Sequence, residues 1–201
     1  RAWVRNTGAA SVEGSLKITV NPNGLEAAFS HIFASGVTQV DGQIHVSNCR
    51  LWEINDPYLY TVRTEVREAG SASYDEQTSR CGFRTFRFEN GFFQLNGRPI
   101  YLHGAVTTNW NMVGCRSPYD PNLVCQDILN LKQMGFDSIR IGAGLPPRRQ
   151  LDTCDELGIL VYEETLAGWW YPLGVSPEMG ARFDTGIRGM IQRDRNHPSV
   201  V

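Results

Sequence analysis

Residues 117–142 read SPYDPNLVCQDILNLKQMGFDSIRIG, and their order decides the class of fold. Asp120 can accept a hydrogen bond from a backbone N–H at a helix start, and Pro121 suits the first helical position because its missing N–H has no partner there anyway. Val124, Ile128 and Leu131 recur at helical spacing, Gly135 ends the run, and Phe136–Ile141 is extended. The stretch is a helix followed by a strand.

The plan repeats on the C-terminal side. In PRRQLDTCDELGILVYEE (147–164), Pro147 opens, Leu151, Cys154 and Leu157 form the stripe, Gly158 closes, and Ile159–Glu164 is extended. In SPEMGARFDTGIRGMIQRDRNHPSVV (176–201), Ser176 and Pro177 start a helix whose Met179, Phe183, Ile187, Met190 and Ile191 share one stripe, and a strand begins at Ser199. His197 precedes Pro198, which pushes its backbone extended and gives it a structural place in the turn. Strands alternating with helices imply a parallel sheet with right-handed crossovers. With PIYLHGAV (99–106) as the first, four strands are present or begun. No GxGxxG or GxxxxGK[ST] follows any of them, as a nucleotide-binding doubly wound sheet would have it. An open α/β sheet and the first half of a (β/α)8 barrel, which takes about 250 residues in full, both remain.

Upstream the grammar differs. Leu16, Ile18 and Val20 alternate with Lys17 and Thr19, and after the turn NPNG come LEAAFSHIFA (25–34) and QIHVSN (43–48), both compatible with strands. In YLYTVRTEVRE (58–68), Tyr60, Val62, Thr64 and Val66 face one way and Thr61, Arg63, Glu65 and Arg67 the other. Short strands between Gly, Pro and Asn turns over about 85 residues suggest an antiparallel sandwich of immunoglobulin-like size. The expected division is a sandwich over 1–85 and the α/β part over 86–201.

Composition excludes several classes. A formal charge of −2 gives no basic footprint for nucleic acid and no polybasic membrane patch. No apolar run approaches the ~18 residues of a membrane span. Neither partner is expected, and compartment stays open. Cys49, Cys81, Cys115, Cys125 and Cys154 contain no CxxC pair, so neither a zinc site nor a disulfide framework is expected.

Parity along the strands points to chemistry. In SIRIG (138–142), Ile139 and Ile141 share a face, so if they pack on helices Arg140 looks into the barrel near the C-terminal end of its strand, where barrel enzymes build their sites. A guanidinium there needs a carboxylate. In ILVYEET (159–165) the same parity sends Leu160, Tyr162 and Glu164 inward, making Glu164 the candidate partner; an ion pair that only holds the barrel together is the alternative. Trp169, Trp170 and Tyr171 in the next loop offer aromatic platforms for sugar rings, or pin the loop to the rim. His103 follows inward parity in the first strand and could reach a substrate or sit satisfied in the core; His31 and His45 are surface or packing residues.

These residues resemble glycoside hydrolase family 2, the family of β-galactosidases, β-glucuronidases and β-mannosidases. LWEINDPYLYTVRTEV (51–66) is similar to a signature of its immunoglobulin-like domain, and CGFRTFRFENGFFQLNGRPIYLHG (81–104) to the segment leading into its catalytic (β/α)8 barrel. LKQMGFDSIRI, CDELGILVYEE and RDRNHPSVV follow in the family's order. The resemblance implies a retaining glycosidase with two catalytic glutamates, acting on a carbohydrate. It places the acid/base a few residues after the Asn-His-Pro-Ser turn and the nucleophile later, both past Val201, so neither is expected in this chain. Arg140 matches the arginine ending the second strand, close to the nucleophile, and Glu164 the acidic residue ending the third. The family's Asn and His after the first strand are here Thr107, Thr108 and Asn109, and its Ser-His-Tyr-Pro is GAGLPP (142–147). The magnesium positions of some β-galactosidases are replaced around 165–170, so no metal or other cofactor is expected. Half a barrel leaves strand edges and an apolar interior open, and self-association through that surface is the expected consequence. The rival reading is a non-catalytic carbohydrate-binding or structural protein on the same scaffold.

Overall fold

Alternating and 3.6-period stretches sort the chain into two units in a computed structural model that describes residues 1–108, 120–142, 144–165 and 176–201. One unit is Arg1–Cys49 with Tyr60–Cys81; the other is Arg50–Leu59 with Gly82–Val201.

The first unit begins with β1 (Ala2–Asn6), β2 (Val12–Asn21), β3 (Leu25–Phe33) and β4 (Gly36–Val40). The short β5 (Trp52–Glu53) and β6 (Asp56–Pro57) belong to the second unit, and β7 (Tyr60–Glu68) and β8 (Tyr74–Cys81) complete the first. An antiparallel sheet in the order β3-β2-β7-β8 and a β1-β4 ribbon supply a common core. Leu16 and Phe33 from the sheet and Val40 from the ribbon are buried together, with Ala2, Val4, Ile18 and Val66 against them. Inward faces of two sheets sharing a core make a β-sandwich. QIHVSN does not form a strand. Ile44 and Val46 are half-buried and His45 exposed, so the alternation is real, but no ladder partner exists for it among the described residues. The edge beside β1 is taken by Gly36–Val40.

The second unit continues with β9 (Phe86–Glu89), β10 (Phe92–Leu95) and β11 (Arg98–Ile100), an antiparallel meander. Asn90-Gly91 and Asn96-Gly97 join its strands, all four residues with positive φ, as a primed two-residue hairpin turn requires. Then come β12 (Gly104–Thr108), α1 (Pro121–Gln133), β13 (Ser138–Gly142), α2 (Arg148–Leu157), β14 (Leu160–Glu163) and α3 (Met179–Asp194). PIYLHGAV is thus divided: its start closes the meander and only Gly104 onward joins the parallel sheet. That sheet has the order β12-β13-β14, and Val200 bridges in parallel to Val161. Each strand adds on the same side as the one before. A doubly wound sheet reverses direction at its switch point, whereas this progression is that of a barrel.

Ile139, Ile141, Ile159 and Val161 are buried with Ile128 of α1 and Leu151 and Cys154 of α2. Asp120 caps α1, accepting from Asn122 N, and Gly158 ends α2 in the left-handed region at φ 74. Lys132 Nζ closes that end by donating to the carbonyls of Ile54, Leu157 and Gly158 at 2.7, 2.6 and 3.0 Å, satisfying acceptors a helix terminus leaves open. The third helix starts at Met179, because Ser176 and Glu178 close a turn ahead of it in which the Ser176 hydroxyl accepts from Glu178 N. Its apolar stripe is only partly covered: Met179, Phe183 and Ile191 are exposed, Ile187 and Met190 are half-buried, and among the helix residues only Asp194 is buried. Periodicity states which residues share a face and says nothing of what covers it. No described helix is long and apolar enough to cross a membrane.

Candidate functional site

Because Ile139 and Ile141 turn to the helices, Arg140 between them turns the other way, in register with Val106 of β12 and Tyr162 of β14. Its Nη2 donates to Glu164 Oε2 at 2.7 Å, one residue beyond the end of β14. Arg140 keeps 49% of its side chain accessible and Glu164 18%, so the pair stands at an open surface with one partner sheltered. Below it a cavity of about 500 Å³ is lined by Phe86, Phe93, Leu102, Val106, Tyr162 and Val201, with Arg140 in its wall.

Not every sequence candidate joins this pair. His103 lies one residue before β12, exposed, at the N-terminal edge of the sheet. Its N–H donates to Asp137 Oδ1 at 2.9 Å, its carbonyl accepts from Asp137 N at 3.0 Å, and its Nδ1 is 3.6 Å from Asp137 Oδ2. At ~3.3 Å per strand residue, this is the far end from Glu164. Asn109, Trp169 and Trp170 lie outside the described residues.

Sequence reasoning did not find the polar knot at the N-terminal end of the strands. Asp155, 4% exposed near the end of α2, accepts on Oδ1 from Ser199 N at 3.0 Å and Ser199 Oγ at 2.6 Å. Its Oδ2 is 2.6 Å from His197 Nδ1, and its carbonyl accepts from Trp52 Nε1 at 2.8 Å. Burial opposes a charge on His197, but the hydrogen bond and attraction of Asp155 win and raise its pKa. Arg84 donates to the carbonyls of Pro198 and Val200. A Cβ on Gly82 would fall 2.8 Å from Pro198 Cγ and 2.9 Å from Trp52 Cβ, so only glycine fits there. Asp152, Asp155 and His197 have ligand-type atoms within 4.8 Å of one another, but both Asp155 oxygens are already committed to Ser199 and His197. The knot seats the turn that starts the fourth strand, at the barrel end associated with stability. Its contacts span 42 to 116 positions, which no local spacing reveals.

The unidirectional parallel sheet, the sandwich before it in the chain, and a guanidinium–carboxylate pair at the C-terminal strand ends define a barrel-type unit. The chain belongs to glycosyl hydrolase family 2: residues 2–84 match the family described as glycosyl hydrolases family 2, and residues 86–201 match its TIM barrel domain. A beta-galactosidase of Priestia megaterium is 27% identical over 184 residues, covering 86% of this chain and 18% of the relative. A putative beta-glucuronidase of Formosa agariphila is 33% identical over 166 residues, covering 79% and 16%. Among solved structures, a GH2 beta-galacturonidase from Eisenbergiella tayi bound to galacturonate superposes with a TM-score of 0.86 at 25% identity, over 98% of this chain and 35% of that one. A Bacteroides uniformis beta-glucuronidase gives 0.87 at 26%, over 100% and 24%. The chain spans less than a fifth of the length of these curated relatives.

Proposed function

We propose that this chain forms part of a retaining glycoside hydrolase that removes a terminal β-linked sugar by double displacement. The observation that carries the reading is the Arg140–Glu164 contact at 2.7 Å, at the C-terminal ends of strands matched to the family's barrel domain. In such a mechanism one carboxyl protonates the leaving oxygen and a second, roughly 5–5.5 Å away, attacks the anomeric carbon. A fixed guanidinium beside the nucleophile favours its ionised form and lowers its pKa. Glu164 fixes Arg140 in that posture. By the family resemblance both glutamates follow Val201, so the 201-residue chain alone does not turn substrate over. Asn109, Trp169 and Trp170 would line the sugar site, the indoles as stacking platforms. The names of the relatives point to β-galactosides and β-linked uronic acids as substrate class.

The test is expression of the full reading frame containing this stretch and assay on aryl β-galactosides, β-glucuronides and β-galacturonides, with the product anomer read by proton NMR. Retention supports the reading; an inverted product or no turnover on any β-glycoside overturns it. Val106 and Tyr162, 66% and 58% exposed on the sheet's interior face, support self-association of the 201-residue chain through that surface. Light scattering over a concentration series checks this, and a monodisperse monomer throughout would exclude it.

A further inference from the structure

Glu163 and Glu164 are neighbours in the chain that serve opposite faces of the sheet. Glu164 holds Arg140, while Glu163 meets α3 with only 4% of its side chain accessible. There it faces Arg193 and Asp194 at the end of that helix, and His197 in the turn beyond. Asp194 is fully buried and takes the guanidinium: Arg193 Nε lies 2.7 Å from each of its carboxylate oxygens and Nη2 2.6 Å from Oδ2. Nη2 also donates to Pro146 O at 3.0 Å. Glu163 Oε1 is left 3.7 Å from Nη2, with no hydrogen-bond partner among the described residues. The charge on His197 is answered by Asp155.

The site therefore holds two buried carboxyls and one guanidinium already committed to the first of them. A second ionised carboxylate in such a place is costly unless it is paired and hydrogen-bonded. A protonated one is neutral and gains an O–H to donate.

We propose that Glu163 is a positioning residue that works as a neutral carboxylic acid, sharing its proton with Asp194, so that the carboxyl pair ties the end of β14 to α3 and holds the adjacent Glu164 against Arg140. Burial and the nearby Asp194 push its pKa up to about 7, against the opposing pull of Arg193 and His197. The folded chain thus binds a proton that the unfolded chain, with an ordinary value of 4.5, releases earlier. Stability from this pair is full below 4.5, is lost as pH rises toward 7, and is flat above. The proton-sharing pair stands without the hydrolase reading; only the catalytic meaning of a held Glu164 rests on it.

The experiment uses the 201-residue chain with ¹³C-labelled glutamate side chains, titrated by NMR from pH 4 to 9. The resonance that Glu163→Gln removes should have its midpoint near 7, and the Arg140 Nε–H resonance should move with the same midpoint. In Glu163→Gln, where the amide keeps a donor for Asp194 and carries no charge, the Arg140 resonance should stay near its low-pH position throughout. A Glu163 midpoint near 4.5 overturns the shared proton, and an Arg140 signal indifferent to the titration overturns the positioning role. Because the midpoints are read in the wild-type chain, with Glu163→Gln serving to assign the resonance, and no readout is glycosidase activity, failure here is distinct from failure of the hydrolase reading.

Discussion

Trp52 and Asp155 are joined across 103 positions: the indole Nε1 donates to the Asp155 carbonyl at 2.8 Å, and the Trp52 ring is wholly buried. The same residue's carbonyl accepts from Asn96 Nδ2 at 3.0 Å. Arg50–Leu59, which carries Trp52, is thereby fastened to the unit that contains the parallel sheet. Trp52→Phe keeps most of the apolar volume and loses the donor, with an expected cost of about 1–3 kcal/mol. Trp52→Ala adds a cavity and should cost about 3–5 kcal/mol. Equilibrium urea unfolding of both variants separates the two contributions; a Trp52→Phe variant as stable as wild type would show that the hydrogen bond contributes nothing.

Asp155 is the hub of the same knot, so its substitution should exceed that of any surface carboxylate. Asp155→Asn places an NH2 where Ser199 or His197 now donates, stranding buried donors and removing the counter-charge of His197. Breaking a buried pair by removing one partner costs about 3–5 kcal/mol. Asp184→Asn, on an exposed turn of α3, should stay within about 0.5 kcal/mol. Guanidinium midpoints at constant m-value check both.

Two glycines with similar dihedrals should respond differently to one methyl group. Gly135 (φ 86) and Gly158 (φ 74) both sit in the left-handed region that follows a helix. A Cβ at Gly135 would meet nothing within 4 Å, whereas one at Gly158 would lie 2.1 Å from the Ile54 carbonyl oxygen. Gly135→Ala should therefore cost about 1–2 kcal/mol from the backbone alone. Gly158→Ala must also displace the Ile54 carbonyl that Lys132 Nζ binds, and should cost clearly more. Thermal melts that rank the two equally would contradict the contact.

Much of this fold is written in local pattern, and the site only in part. Asp120-Pro121, Gly135 and Gly158 mark helix ends through backbone chemistry acting over a few residues, so they are readable without the rest of the chain. Strand parity likewise delivered Arg140 and Glu164 to one face. It failed for His103, because the register that sets Val106 beside Arg140 puts the even-numbered residues of this stretch on the interior face and leaves His103 on the other parity, ahead of the strand. QIHVSN alternates without pairing, since a partner edge is a non-local matter. The Asn-Gly turns at 90–91 and 96–97 are hairpin signals of the same local kind. The Asp155 knot and the cluster in which Glu163 meets the Arg193 guanidinium that holds Asp194 join residues distant in sequence, and only the folded chain brings them together.

Arg140 separates function from stability. Nearly half of its side chain is exposed, and a partly solvated pair of this kind contributes about 0–1 kcal/mol. Arg140→Ala in the full-length protein should leave the melting midpoint within a few degrees of wild type. On the proposed hydrolase reading Arg140 is a preorganised charge beside the reacting carboxylate; loss of such a charge typically costs about 10²–10³ in turnover, and kcat with an aryl β-glycoside should fall by that order. A variant that loses stability and activity in proportion would reduce Arg140 to a scaffold residue.

His197 gives the last prediction its pH window. Its folded-state pKa is raised because the Asp155 carboxylate, 2.6 Å from Nδ1, outweighs burial. The folded chain therefore holds the imidazolium proton more tightly than the unfolded chain, whose histidine titrates near 6.5. The charge-dependent stabilisation is complete below that value and disappears as pH rises through the higher folded value. A neutral imidazole protonated on Nδ1 still donates to Asp155, so the hydrogen bond survives and only the ionic part is lost. Glu163 changes stability in the same direction over a neighbouring range, so the comparison belongs in the Glu163→Gln background. There, the unfolding free energy of the chain with His197 minus that with His197→Gln should be largest near pH 5.5 and shrink steadily toward pH 9. A difference that is flat across this range would mean that Asp155 does not hold a charged histidine.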